Sequence, residues 1–261
     1  MSSLKKMTLI LLVLNIFLFV ISDVRGKEIL SVSYDDQLLF ARLREKGFSQ
    51  NEIVDIFTDE RFTADLDVFY EKKEPPSMFT EESIVRGVKC FETNKRIFDD
   101  IKQRFGVEGV FLVGIYRIKT DLGMKLGKYK VINALLTRWK LDHRPYFFFT
   151  ELVSWLEICK KYGFDYFSMC GSSAGAFGKT HFMPSNYLRY GIDADKKGKI
   201  DLFEFKDAMY STANFLKGEG CRDGDLENNK RVLWKYNHSD VYVDAIVKYV
   251  LIIKKRLEQP I

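Results

Sequence analysis

Gly171-Ser-Ser-Ala-Gly175-Ala-Phe-Gly178-Lys-Thr-His181-Phe-Met-Pro184-Ser-Asn-Tyr187 is the stretch on which the reading of the fold turns. Small residues at 171–178 let a backbone pass close to a ligand, or simply pack tightly against its own protein. Pro184 suits the first turn of a helix, because its fixed φ and missing N–H cost nothing there.

Just downstream, Asp193-Ala-Asp195-Lys-Lys197-Gly198-Lys199-Ile200-Asp201-Leu-Phe-Glu204 has EF-hand ligand spacing. A hard cation takes six to eight oxygens, and loop positions 1, 3, 5, 7, 9 and 12 aim them inward. Asp193, Asp195, the Lys199 carbonyl, Asp201 (directly or through water) and a bidentate Glu204 fill five of those positions. Gly198 stands where the loop turns sharply, and Ile200 holds the apolar position. Lys197 is the defect, because an ammonium stands at position 5 where an oxygen is needed. Four carboxylates against three lysines leave the loop a charge of only −1, so the expected Ca2+ site is weak. Extracellular modules of that kind bind at about 10⁻⁴–10⁻³ M. A loop with the same turn and no metal is the alternative. No organic cofactor is expected.

Farther out, composition narrows the classes. The chain has 261 residues, 46% of them hydrophobic, with 22 Phe and 13 Tyr, which excludes a disordered chain. Five Pro and 17 Gly exclude collagenous and Pro-rich architectures. A net charge of +5 without clustered basic runs argues against nucleic acid as a partner and leaves an anionic polymer open. At the front, Lys5 and Lys6 precede the apolar run Met7–Ile21, broken only by Thr8 and Asn15. That run is shorter than the ~20 residues of a membrane span and reads as the core of an export signal over 1–26. Val24 and Gly26 suit the −3 and −1 cleavage positions, with Arg25 an imperfect fit. An uncleaved anchor is the alternative and the one membrane contact expected. Export to the periplasm, or otherwise out of the cytoplasm, permits two disulfides among Cys90, Cys159, Cys170 and Cys221 in any of three pairings; free buried thiols are the alternative.

Helical signals dominate. Gln37–Lys46 ends at Gly47, and Ser49 with Glu52 forms a capping box for 50–57. Residues 58–79, with Pro75-Pro76, read as an extended surface linker. Thr80 caps a helix running to about Arg104, with Gly106 as its stop. Val107, Phe111, Ile115, Ile118 and Leu122 recur at helical spacing. Further helical patterns cover about 128–139, 146–162, 184–190, 202–217 and 239–257. No alternation builds a large sheet. The expected division is 1–26 signal, 27–79 a small N-terminal helical extension with its linker, and 80–261 one mainly α domain.

The Gly/Ala-rich run ending in Phe-Met-Pro-Ser-x-Tyr, the calcium-type loop and Ala213-Asn214-Phe215 follow one another in an order that resembles the lytic murein transglycosylase B family. Lys235-Tyr236-Asn237-His238-Ser239 and Tyr242 resemble that family's Tyr-Asn-x-Ser segment. Gly123 through Leu135 resembles its post-catalytic helix region. The likeness covers roughly 84–250, with weaker agreement at 35–58. It implies a lysozyme-like transglycosylase fold with a groove for peptidoglycan glycan strands. Members cleave the MurNAc–GlcNAc bond without water and leave a 1,6-anhydro ring, using one Glu as acid and then base, unlike two-carboxylate glycosidases.

The family's Gly-Val-Glu-Thr-x-x-Gly segment corresponds here to Arg117-Ile118-Lys119-Thr120-Asp121-Leu122-Gly123, so Lys119 stands at the acid position. A carboxylate facing an oxocarbenium-like centre at ~4 Å and an effective dielectric of ~20 gains about 4 kcal/mol. Reversing its sign costs about 8 kcal/mol, or roughly 10⁵–10⁶ in rate. Asp121 is the tempting substitute, but two residues along a helix is about 200°, so it faces away from Lys119. Two further departures are His181 in place of Gln and Phe215 in place of Tyr. Ser172, Tyr236, Asn237 and Tyr242 match the saccharide-contacting positions.

The expected function is therefore a lytic transglycosylase-like protein that binds or acts on glycan strands and is catalytically impaired. The alternative is an active enzyme with an unrecognised acid such as His181, which titrates near neutrality when unperturbed. A calcium-responsive structural protein is a weaker third.

Overall fold

The structure, a computed structural model, describes residues 34–70 and 78–259. The export-signal reading of 1–26 lies outside the described residues. In chain order the elements are α1 (Tyr34–Glu45), α2 (Gln50–Thr58), a 3-10 turn (Leu66–Phe69), α3 (Glu81–Thr93), α4 (Lys95–Phe105) and α5 (Gly109–Thr120). They continue with β1 (Tyr129–Lys130), α6 (Val131–Leu141), α7 (Pro145–Tyr162), β2 (Cys170–Gly171), α8 (Pro184–Tyr190), α9 (Phe205–Gly218), α10 (Leu226–Tyr236) and α11 (Asp240–Glu258). The mainly α expectation holds. Among the described residues the strands are two residues each, paired antiparallel with Tyr129 opposite Gly171 and Lys130 opposite Cys170. No helix among the described residues is long and apolar enough to cross a membrane.

The chain forms two compact units, and they do not follow the linear division at residue 79. The first joins the N-terminal helices, up to Glu71, to Lys128–Ala176; the second joins Lys72–Gly127 to Phe177–Ile261. In the first unit α6 and α7 pack together around Val131, Leu135, Leu152, Trp155 and Leu156. The Ser49/Glu52 capping box forms with both hydrogen bonds present. Asp36 and Lys140, both almost fully buried, pair at 2.7 Å and tie α1 to α6.

The described part of 58–79 is not a surface linker. Phe62, Leu66 and Val68 are buried. The segment is also held by α6: Asn133 donates to the Arg61 carbonyl at 2.9 Å, and the Asp65 N–H donates to Thr137 Oγ1 at 2.8 Å. Polar side chains on α6 thus serve the backbone of a segment that has no regular structure of its own.

In the second unit α5 is enclosed by α3, α4, α9 and α11, with every side chain from Val110 to Arg117 buried. Two glycines admit this close packing: a Cβ at Gly109 would meet the Phe98 ring at 2.5 Å, and one at Gly114 would meet Ile246 at 3.1 Å. The expected single helix from Thr80 to Arg104 breaks at Asn94. There the Asn94 N–H donates to Cys90 O and Phe91 O, and its side chain donates to Cys90 O at 2.8 Å. The four cysteines are unpaired thiols, and burial pushes Cys90 and Cys221 up to about 11.

Replacing Ser49 with Ala removes the α2 cap and should lower stability by about 1 kcal/mol. Thermal melting and amide exchange confined to 49–58 will check this.

Candidate functional site

Lys119 occupies the last turn of α5, and the end of that helix is over-determined. Thr120 Oγ1 donates to the Lys179 carbonyl at 2.6 Å and accepts the Gly123 N–H at 3.1 Å. Asp121 and Leu122 then leave the helix in the left-handed region, at φ 53° and 56°, which favours glycine. The Asp121 carboxylate pairs with Arg117 at 3.1 Å and Arg86 at 3.0 Å, and Arg117 Nε donates to Ser83 Oγ at 2.8 Å. Asp121 is therefore spent on two guanidinium groups, and because it lies past the helix end in left-handed backbone, the 200° helical offset expected of it does not apply.

The half-buried Lys119 ammonium donates to Asn237 Oδ1 at 2.8 Å. It lies 4.7 Å from the centre of the Tyr242 ring and 5.6 Å from that of Tyr236, both cation–π distances. Tyr236 OH donates to the Thr180 carbonyl at 2.8 Å. The Tyr242 hydroxyl is buried with no hydrogen-bond partner among the described residues. Burial pushes both phenols up, so they remain protonated donors.

His181 belongs to the same neighbourhood. Its backbone is left-handed at φ 53° and its N–H donates to the Gly178 carbonyl at 3.1 Å. Burial, reinforced by the Lys119 charge, pushes its imidazole down to about 4. The neutral ring donates from Nε2 to the Leu126 carbonyl at 3.2 Å, which leaves Nδ1 as an acceptor.

Phe215 is buried. Its ring packs edge-on against Tyr236 and Tyr190, each at 5.0 Å, and supports the site wall from behind. Ser172 belongs to the first unit, where its Oγ accepts the N–H groups of Ala174 and Ala176 and closes a turn. The glycines of the quoted stretch serve protein packing. A Cβ at Gly175 would strike Leu135 at 2.4 Å, and one at Gly178 would strike Leu202 at 2.4 Å.

α10 delivers Tyr236 and Asn237, and the sequence reading assigns no helix there. Its signal is Asp225, whose side chain accepts the Asn228 N–H at 3.0 Å, followed by buried Val232 and Leu233.

In the calcium-type loop the carboxylates that gather are Asp193, Asp195 and Asp207, within 4.8 Å of one another. Asp207 is absent from the sequence-derived ligand set. It is fully buried and accepts the N–H groups of Ala194, Asp195 and Asp201. Glu204 is exposed at the head of α9, and Asp201 Oδ1 accepts the Phe203 N–H. Asp193 accepts from the Lys197 and Gly198 backbones, and the Lys197 ammonium sits 2.7 Å from Asp195. The oxygen donors suit a hard cation, and the lysine competes with it.

A family profile described as the transglycosylase SLT domain matches residues 35–227. The membrane-bound lytic murein transglycosylase B of Escherichia coli (strain K12) is 32% identical over 157 residues, covering 60% of this chain and 42% of that protein. The chain thus spans less than half the length of that relative. Among solved structures, the Escherichia coli lytic transglycosylase Slt35 in complex with calcium superposes with a TM-score of 0.76 at 21% identity, covering 86% of this chain and 94% of that one. SltB3 from Pseudomonas aeruginosa, in complex with NAG-NAM-pentapeptide, gives a TM-score of 0.71 at 21% identity, covering 84% and 79%. These likenesses bear out the lysozyme-like transglycosylase fold.

His181 yields a pH prediction. Its depressed folded value means the unfolded chain binds the proton more readily between pH ~6.5 and ~4. Its contribution to stability is therefore full above pH ~6.5 and falls by about 3 kcal/mol as pH drops to ~4. His181→Gln should flatten that part of the stability–pH curve. Denaturant titrations of both proteins at pH 7, 5.5 and 4.5 will show whether the curves converge at low pH.

Proposed function

The chain belongs to the transglycosylase SLT domain family, and from that premise we propose that it holds peptidoglycan glycan strands without cleaving them. The observation that carries this reading is the Lys119 ammonium bonded to Asn237, at the position where the resemblance puts the proton-donating Glu. An ammonium there repels the cationic centre that develops as the glycosidic bond breaks. The complex of SltB3 with NAG-NAM-pentapeptide supports glycan as the ligand class. His181 does not rescue the enzyme reading, because its imidazole is neutral at pH 7 and its Nε2 proton is engaged by Leu126 O. Tyr236, Asn237 and Tyr242 line the site, Phe215 backs it, and residues 1–26 export the chain to the compartment that holds the polymer.

Wild-type protein incubated with purified peptidoglycan should sediment with it and release no 1,6-anhydromuropeptides by mass spectrometry. Abundant anhydro products would overturn the reading. Lys119→Glu should restore measurable lytic activity, since Asn237 can turn its amide to donate to the new carboxylate. Lys119→Glu with His181→Gln and Phe215→Tyr should restore more. A folded triple variant that binds glycan yet releases no anhydro product would show that more than these three positions has diverged.

Calcium is a separable part of this proposal. Asp193, Asp195 and Asp207, with the Lys199 carbonyl and Asp201, would hold the ion, which would act structurally by cross-linking the loop to α9. Slt35 was solved with calcium, which supports the class of ion. Here calcium must displace the Lys197 ammonium from Asp195, so binding is weak. Millimolar calcium should raise Tm slightly by mass action. Lys197→Asp should enlarge the rise, Asp195→Asn should abolish it and Glu204→Gln should leave it unchanged. A flat calorimetric response in wild type and Lys197→Asp would remove the metal.

A further inference from the structure

We propose that Lys119, packed against the Tyr242 ring, recognises a carboxylate on the glycan, so that the preferred ligand is a strand whose N-acetylmuramic acid units carry a free lactyl carboxylate rather than a peptide amide. This deepens the glycan-binding reading above and rests on it. N-acetylmuramic acid differs from N-acetylglucosamine by its lactyl ether, whose carboxyl is amidated where a peptide is attached and ionised where the peptide has been removed.

Three observations point to an anion. The group at the head of the site is a half-buried ammonium held between two aromatic rings and an amide oxygen, 2.8 Å from Asn237 Oδ1 and 4.7 Å from the Tyr242 ring centre. The Tyr242 hydroxyl is buried without a hydrogen-bond partner among the described residues, and a buried phenol in that position calls for an acceptor. His181, Tyr236, Asn237 and Tyr242 are uncharged at neutral pH, so they present dipoles to an incoming anion without repelling it. A neutral saccharide would meet the ammonium only through uncharged hydroxyl, ether and amide oxygens, whereas a carboxylate makes a charge-assisted hydrogen bond of about twice the strength.

The test uses the full chain and three probes: peptide-stripped glycan strands, the same strands with the lactyl carboxyls converted to primary amides, and chito-oligosaccharides, which have no lactyl group. By titration calorimetry the stripped strands should bind about tenfold or more tightly than the amidated ones. That preference should shrink as salt is raised. Lys119→Met should erase the preference, Lys119→Glu should reverse it, and Tyr242→Phe should reduce it. Equal affinity of wild-type protein for stripped and amidated strands overturns the carboxylate proposal while leaving glycan binding intact. Failure to bind any of the three overturns the glycan reading as well. The wild-type comparison decides the matter even if a Lys119 variant does not fold.

Discussion

The site depends on how a fully enclosed helix comes to an end. α5 is apolar on nearly every side, so it has no solvent face on which to relieve a misfit at its C-terminus. Its last carbonyls must still be satisfied, and the chain must turn sharply into the Gly123 loop. The N–H groups of Leu122, Asp121 and Lys125 satisfy the carbonyls of Tyr116, Arg117 and Thr120, and the Thr120 hydroxyl holds the turn, accepting Gly123 N–H and donating to the carbonyl of Lys179, two residues before His181. Left-handed backbone at Asp121, Leu122 and His181 is the local cost of this joint. One hydroxyl thereby fixes the segments carrying Lys119 and His181 relative to each other, and neither side chain can drift by a helical turn.

Asp121 shows how charge is apportioned at that joint. Arg117 is buried inside the unit and needs a counter-charge there; Asp121 supplies it and shares it with Arg86. Moving Asp121 toward the site to act as an acid would strand a buried guanidinium at a cost of about 3–5 kcal/mol. Stability therefore holds the Asp121 carboxylate on its two arginines. The neutral imidazole follows from the same arrangement, since a second cation beside the Lys119 ammonium is disfavoured by burial and by repulsion.

Signals carried by a few adjacent residues were legible in the sequence. The Ser49/Glu52 box, the Gly47 and Gly106 stops and the Pro184 start state their structure within one turn, and apart from the break at Asn94 the expected helices lie within a few residues of their bounds. Features decided by distant partners were not legible. Residues 58–70 look like a linker because the groups that satisfy their backbone, Asn133 and Thr137, lie some seventy positions away. α10 was hidden by polar residues over Glu227–Arg231, and its assignment rests on Val232 and Leu233 finding a core. Asp207 lies outside the twelve-residue loop pattern, yet the fold brings it under the loop to hold three backbone N–H groups. At the site, the identity of Lys119, Tyr236, Asn237 and Tyr242 was readable. The burial of Phe215 and the depressed imidazole of His181 depend on packing and were not.

Lys119 and Lys197 are the same substitution in kind, a lysine at a position where the pattern calls for a side-chain oxygen, but their surroundings make them unequal. The Lys197 side chain is 64% exposed, so releasing its ammonium from Asp195 returns it to water, and a screened surface pair of that sort contributes little. A divalent cation entering the loop would have to displace that ammonium, though from a solvent-exposed contact. Lys119 is half-buried between aromatic rings, with Asn237 as its acceptor, and its charge is felt by the enclosed His181. Moving it away would cost the cation–π contacts and would open space beside a buried phenol. The loop therefore gathers Asp193, Asp195 and Asp207 behind an exposed lysine. At Lys119 the charge is instead fixed by its surroundings, and under the proposed glycan-binding reading it would govern which ligands the site admits.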